Sequence, residues 1–246
     1  MIDSILILAA GRGNRLMPLT RDLPKPLLGL GEDGSTILGR LVSQCQEFLP
    51  GVPLYVNISY KGEKILEKFL GLSYKTRPTF LYEKELLGPS ETLKQFAELR
   101  GGRTLILHGD LVLSSGGLLR FIEAASKTCS QMIVCHRKNR SEARSEVILA
   151  SEPDRMRRIH EISPDVVADG EKTTELVLVS SGLFVVDLSR LESYTPRRNE
   201  SLSPNLLNHI NQSALKIYVW DDWRFAIDST SILEEAQKKI CEELDS

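Results

Sequence analysis

At 246 residues, with 41% hydrophobic and 26% charged side chains, the chain has an ordinary globular composition and length enough to bury a large α/β core. Its net charge of -2 argues against nucleic-acid binding through bulk electrostatics, and no apolar run approaches the roughly 18 residues of a membrane-spanning helix. Cys45, Cys129, Cys135 and Cys241 show no C-x-x-C spacing and read as reduced thiols, and Met1-Ile2-Asp3 carries an acid where a secretory leader carries cations, so a cytoplasmic location is expected.

Ser4 to Ala10 is a short apolar run closed by glycine, the pattern of a strand buried on both faces. Ser35 and Thr36 offer an N-cap for a helix whose Ile37, Leu41, Val42, Cys45 and Phe48 share one stripe, and Pro50-Gly51 stops it. Leu54 to Ser59 reads as a second strand, Glu63 to Leu70 as an amphipathic helix, and Thr79 to Glu83 as a third strand. Ser90 offers a cap for a helix carrying Leu93, Phe96, Ala97 and Leu99, and Thr104 to Asp110 is another buried strand, ending in Gly-Asp. This repeated β-α order predicts a parallel sheet with right-handed crossovers and a ligand site at the carboxyl ends of its strands.

After Ser126 the rhythm changes. Gln131–His136, Glu146–Ala150, Arg155–His160, Glu175–Ser180 and Gly182–Asp187 are apolar runs with few helical signals between them, so the sheet is expected to become mixed. Ala214 to Trp220 is a last strand, followed by Trp223–Ser229 and a terminal helix from Ile232 to Leu244. No Gly/Ser/Pro linker and no repeat of fixed period divides the chain, which predicts one domain over residues 1–246.

The segment from Gly11 to Pro26 holds Arg12, Arg15, Arg21 and Lys25, offset by Asp22 alone and interrupted by Pro18, Pro24 and Pro26. The P-loop form is absent. A G-x-G-x-x-G start at Gly11-Arg12-Gly13 meets Leu16 in place of its third glycine, and the prolines forbid a long helix there. Two readings fit these residues. One is a solvated basic loop. The other is an extended glycine loop whose backbone N–H groups face an anion, with Arg15 able to hold phosphate oxygens bidentately and Lys25 acting as a point charge.

LAAGRGNRLMPLTRDLPKPLL, Leu8 to Leu28, closely resembles the signature of the sugar-phosphate nucleotidylyltransferases, L-A-[AG]-G-x-G-x-R-L-x-P-L-T-x-x-x-P-K-P-L. Those enzymes join a nucleoside triphosphate to a sugar-1-phosphate, giving an NDP-sugar and pyrophosphate. The resemblance implies a Rossmann-like three-layer α/β/α fold, GT-A-like, around a predominantly parallel, mixed central sheet. It implies that Leu8, Ala9, Ala10, Gly11 and Gly13 lie against the nucleotide, that Arg15 grips the leaving pyrophosphate and that Lys25 neutralises charge at the reacting phosphates. Residues 1–126 would then bind the nucleotide and residues 127–246 the acceptor.

EKELLGPSETL, Glu83 to Leu93, resembles the family's E-x-x-P-L-G-T-A-G-A-L. Glu83, Leu87 and Gly88 match, which adds Glu83 and Gly88 to the nucleotide site, while Pro89, Ser90 and Glu91 differ. A buried carboxylate in this stretch would need a partner such as a base amino group. For Glu91 an equally good reading is a helix N-terminus capped by Ser90, with Glu91 favouring the dipole. LILHGD resembles the family's strand ending in N-G-D, whose aspartate binds Mg²⁺, and marks Asp110 as catalytic and metal-binding. His108 stands at the asparagine position and reads as a core histidine. RFAIDST resembles W-x-D-I-G-T-P and marks Asp228 as the second metal carboxylate, with capping of the last helix as its other reading. Two carboxylates and triphosphate oxygens make the hard-oxygen site that Mg²⁺ prefers.

The acceptor motifs depart further. RMRRIHEISPD partly resembles a strand ending in E-K-P, with Glu161 placed for sugar hydroxyls but Ile162 in the lysine position; Arg157 or Arg158 is the substitute cation that the sequence offers. SSGLFVVD resembles N-A-G-I-Y-V-F, keeping Gly182 and placing Ser180 at the asparagine. The expected function is Mg²⁺-dependent transfer from a nucleoside triphosphate to a sugar-1-phosphate, with no nucleic-acid or membrane partner. Cytidylyl transfer to phosphocholine or a similar phosphorylated alcohol, and a non-catalytic NDP-sugar sensor, are the alternatives. Neither base, sugar nor oligomeric state follows from these residues.

Overall fold

The computed structural model describes residues 1–31, 34–71, 77–139, 147–152, 155–160, 176–191, 193–196, 202–209 and 215–244. In chain order the elements are β1 (Ser4–Leu8), α1 (Ile37–Phe48), β2 (Leu54–Ile58), α2 (Gly62–Leu70), β3 (Thr79–Tyr82), α3 (Pro89–Leu99), β4 (Arg103–His108) and β5 (Leu111–Leu113). There follow α4 (Ser115–Ser126), β6 (Gln131–Asn139), β7 (Val147–Glu152), β8 (Arg155–His160), β9 (Leu176–Asp187), α5 (Leu202–His209), β10 (Leu215–Val219), β11 (Arg224–Ala226) and α6 (Thr230–Leu244).

The main sheet runs β10-β6-β9-β4-β1-β2-β3. Along that path β9 alone is antiparallel to its neighbours, so six parallel strands carry one reversed member. β7 pairs with β9 and β8 with β7, both antiparallel, and β5 and β11 form a separate two-stranded ribbon. The expected mixed, predominantly parallel sheet is present.

Strand periodicity explains the three layers. Ile5, Ile7, Leu105 and Leu107 face one side, where they pack with Leu38, Leu41 and Val42 of α1 and Leu118 and Phe121 of α4. Leu6 and Ile106 face the other, against Leu93 and Phe96 of α3 and Leu202 and Leu206 of α5. Each such side chain contributes about 1.5–3 kcal/mol by leaving water. A third cluster, Leu16, Leu28, Leu30, Val112, Ile227, Leu233 and Ile240, lets α6 hold the opening loop against the β5–β11 ribbon. That cluster places the basic loop beside Asp110.

Capping is partly as expected. Thr36 Oγ1 accepts from Gly39 N at 3.1 Å and starts α1. Ser90 does not cap α3; Gly88 holds that position at φ 91 with Pro89 following, and Ser90 is buried in the first turn. At α6, Ser229 Oγ accepts from Ile232 N at 3.3 Å, which frees Asp228 from capping. Of Glu175–Ser180 and Gly182–Asp187, expected as two strands, Leu176–Ser180 and Gly182–Asp187 belong to the single strand β9, since Gly182 at φ 75 bends the chain without ending it, and Glu175 lies outside the described residues. Helices α4 and α5 and strands β5 and β11 are additions to the expected order, which has its last strand at Ala214–Trp220.

Candidate active site

The carboxyl ends of β1, β2 and β4 open on a cavity of about 240 Å³. Of the residues expected at the nucleotide, Leu8, Ala9, Ala10, Gly11, Gly13, Glu83 and Gly88 all line it, and Arg15 does not. Lys25, Asp110, His108, Asn57 and Thr92 line it as well. This is the position where parallel α/β sheets hold ligands, beyond the strand ends.

One end of the cavity is a buried, uncharged frame around one acid. Asn57 is 3% exposed; its Oδ1 accepts from Ala9 N at 2.7 Å and its Nδ2 donates to Glu83 Oε1 at 2.8 Å. Thr92 Oγ1 also donates to Glu83 Oε1, and Leu87 N reaches Glu83 Oε2 at 3.3 Å. Glu83 is thus fixed by donors from β2 and α3 and keeps acceptor capacity on Oε2. Sequence reasoning missed Asn57 and Thr92. Asn57 did carry a signal, as the one polar side chain between Leu54 and Ile58 apart from the hydroxyl of Tyr55.

The other end is ionic. Lys25 Nζ lies 2.5 Å from Asp110 Oδ2, with the two side chains 15% and 32% exposed. A 3₁₀ turn over Lys25–Leu27, begun at Pro24, sets the lysine's direction. Gly13 makes room for it: at φ 66, a Cβ there would sit 2.9 Å from Lys25 Cβ. Burial pushes the Asp110 carboxyl up, but the Lys25 ammonium beside it, by charge and hydrogen bond, outweighs that and holds it below the usual carboxylate range. Asp110 is therefore ionised at neutral pH.

Arg15 and Asp228 pair at 3.1 Å on the rim, 81% and 45% exposed. Asp228 is brought to this place by the β5–β11 ribbon and by Ile227 N donating to Asp110 O at 2.9 Å. The two acids singled out from the sequence thus stand on adjoining segments, each holding one of the two cations singled out with them. Both are hard oxygen donors, and among the described residues no three His, Cys, Asp or Glu side chains gather into a metal cage. The residues fit a cation that takes two protein carboxylates and draws its remaining oxygens from substrate and water, as Mg²⁺ does.

Toward β9, the predicted acceptor residue Gly182 packs on His108, where a Cβ would lie 3.2 Å from the imidazole Cγ. Burial holds the His108 imidazole below its ordinary range, against the pull of Asp110, so the ring is neutral. Its Nε2 is buried without a hydrogen-bond partner among the described residues. Glu161 lies outside the described residues, as does Ile162.

A model of the nucleotidyl transferase family matches residues 4–193. A bifunctional protein GlmU from Methanococcus aeolicus is 29% identical over 107 residues, 44% of this chain and 24% of that protein. The chain thus matches about a quarter of the length of such relatives. A probable glucose-1-phosphate cytidylyltransferase from Bacillus subtilis is 26% identical over 95% of this chain and 94% of its own length. Among solved structures, a putative glucose-1-phosphate thymidylyltransferase from Bacillus anthracis, in complex with a sucrose, superposes with a TM-score of 0.75 at 17% identity. That superposition covers 96% of this chain and 94% of the other, and it establishes a shared fold.

Proposed function

The chain belongs to the nucleotidyl transferase family, and from that premise we propose that it joins a nucleoside triphosphate to a sugar-1-phosphate, giving an NDP-sugar and pyrophosphate. The observation that carries this reading is the cavity itself, with a fixed acid at Glu83 at one end and the Lys25–Asp110 pair at the other. That polarity suits a nucleotide lying base-first against Glu83 with its phosphates along Gly11 and Gly13. The acceptor would come from the β9 side, so that residues 1–126 serve the nucleotide and 127–246 the acceptor.

Glu83, held by Asn57 and Thr92, is an acceptor and selects a base edge that presents an N–H group. Gly11 and Gly13 let phosphate oxygens approach the backbone. Lys25 leaves Asp110 for the phosphates, and Arg15 leaves Asp228 for the departing pyrophosphate. Asp110 and Asp228 are the residues that would hold Mg²⁺, which when bound supplies charge neutralisation at the phosphates. An oxygen of the acceptor phosphate forms the new bond to the α-phosphorus as the bond to the bridging oxygen of pyrophosphate breaks. A phosphate monoester is ionised at neutral pH, so no general base is required, and the residues contribute positioning and electrostatic stabilisation. Both substrates are multiply charged, which favours a cytoplasmic reaction, and no described helix is long and apolar enough to cross a membrane.

The test is a matrix of the common nucleoside triphosphates against a panel of sugar-1-phosphates with Mg²⁺, read as pyrophosphate release. At least one pair is expected to turn over. No release across the matrix contradicts the proposal.

A further inference from the structure

Arg224, on β11, extends its guanidinium to the place where β9 leaves its register with β6. Ile133 pairs with Phe184 but Cys135 with Ser180, so the chain through Ser181 and Gly182 bulges out of the ladder. Arg224 Nη2 donates to the carbonyl of Ser181 at 3.3 Å, and Nη1 stands 3.2 Å from both ring nitrogens of His136. A neutral imidazole has a single acceptor nitrogen, and the hydroxyl of Ser181 also contacts His136 Nδ1 at 3.0 Å. Arg224 Nε is buried with no partner among the described residues. Five donors are therefore served by two long contacts.

The charge is as poorly met as the donors. Among the described residues no carboxylate stands within ion-pair distance of Arg224. Asp110 acts on it only at longer range and is itself engaged by Lys25. Burial lowers the guanidinium's pKa to about 10, which leaves it charged at neutral pH. Arg224 is half-buried, with its Nε shut away from water, and a cation so placed without a counter-ion is costly unless a ligand supplies the anion. His108, whose Nε2 has no partner, lies in the field of Lys25, Asp110 and Arg224 together. His108, which lines the cavity and packs on Gly182, thus links Asp110 to the bulge.

We propose that Arg224 is an acceptor-anchoring residue, holding the phosphate of a phosphate-monoester acceptor between the β9 bulge and Asp110. The inference deepens the proposed transfer reaction and rests on it for the identity of the ligand. It makes the acceptor's phosphate, rather than its alcohol portion, the feature that this chain reads with a charged side chain. His136 and the Ser181 carbonyl orient the guanidinium, and the neutral state of His136 avoids a second positive charge beside it.

The test has two arms. With the pair that turns over best, Arg224→Met should raise the KM for the acceptor roughly ten- to a hundredfold while the KM for the triphosphate stays within about twofold. Arg224→Lys keeps the charge and should recover part of that loss. A misfolded variant would lower active enzyme without moving one KM against the other. Equal changes in both KM values, or none in the acceptor KM, overturn the assignment. If the wild type turns nothing over, the transfer reading fails, and the site is judged by titrating inorganic phosphate and following the thermal unfolding midpoint. Phosphate protection that is weaker in Arg224→Met than in the wild type and restored in Arg224→Lys supports an anion site. Protection equal in all three proteins overturns it.

Discussion

The loop beside Asp110 and the ribbon beside β9 hold their cations in opposite ways. On the nucleotide side each cation faces an acid: Lys25 faces Asp110 in a partly buried pair, and Arg15 faces Asp228 on the rim. On the β9 side Arg224 is half-buried between a neutral histidine and a carbonyl, and no described carboxylate pairs with it. On the proposed reading these pairs neutralise the cations until a triphosphate with Mg²⁺ would replace both with equivalent ones. An unpaired cation is complete only with its anion. Substitutions should therefore act differently in the two places, and several measurements would break or sharpen that contrast.

The largest effect is expected at Asp110. Asp110→Asn keeps the shape of the side chain but removes the charge that faces Lys25 and that would hold the proposed Mg²⁺, and should cost roughly a thousandfold or more in turnover. Full activity in this variant would remove Asp110 from the site. Gly13→Ala comes next. At φ 66, with a Cβ 2.9 Å from Lys25 Cβ, it should destabilise the fold by about 1–3 kcal/mol in urea unfolding and weaken triphosphate binding by displacing the lysine. Unchanged stability and binding would mean that Lys25 does not pack against Gly13.

Arg15→Met separates function from stability. The Arg15–Asp228 pair is largely solvated, so its loss should change folding stability by under about 1 kcal/mol, yet turnover should fall because the departing pyrophosphate loses a cation. A large stability loss would mark the pair as structural. The smallest effect concerns pH. The imidazole of His136 is held at about 4 by burial, Arg224 and Lys138, against an ordinary value of 6.5. Between those values the unfolded chain takes up a proton that the folded chain refuses, so stability falls as pH drops through that window. His108 acts in the same direction. His136→Gln should flatten the dependence of the thermal midpoint on pH there, and an unaltered slope would show that His136 titrates normally.

How much of this was legible in the residues divides along the same line. Most of the residues that line the cavity could be picked out because they are contiguous: glycines and a lysine between prolines fall between Leu8 and Leu28, and β4 delivers Asp110 by a strand that sequence periodicity marks, whereas Asn57 and Thr92 stand on separate elements. Helix α4 was hidden by Gly116 and Gly117 in its first turn, where Ser114 caps it and where helix propensity is poor. Arg224 was invisible for a different reason. Its surroundings arise from the pairing of β11 with β5 and from the Ser181–Gly182 bulge, contacts between segments far apart in the chain. A search for the missing acceptor cation by sequence alone stops at Arg157 and Arg158, which adjoin Glu161 in the chain.

A crystal structure of the protein with Mg²⁺ and its preferred nucleoside triphosphate tests the central claim most directly. The account predicts the base beside Glu83, the phosphates along Gly11 and Gly13, and Lys25 moved from Asp110 onto phosphate oxygens. A nucleotide bound outside this crevice, or a Lys25–Asp110 pair left intact beneath a bound triphosphate, would contradict it.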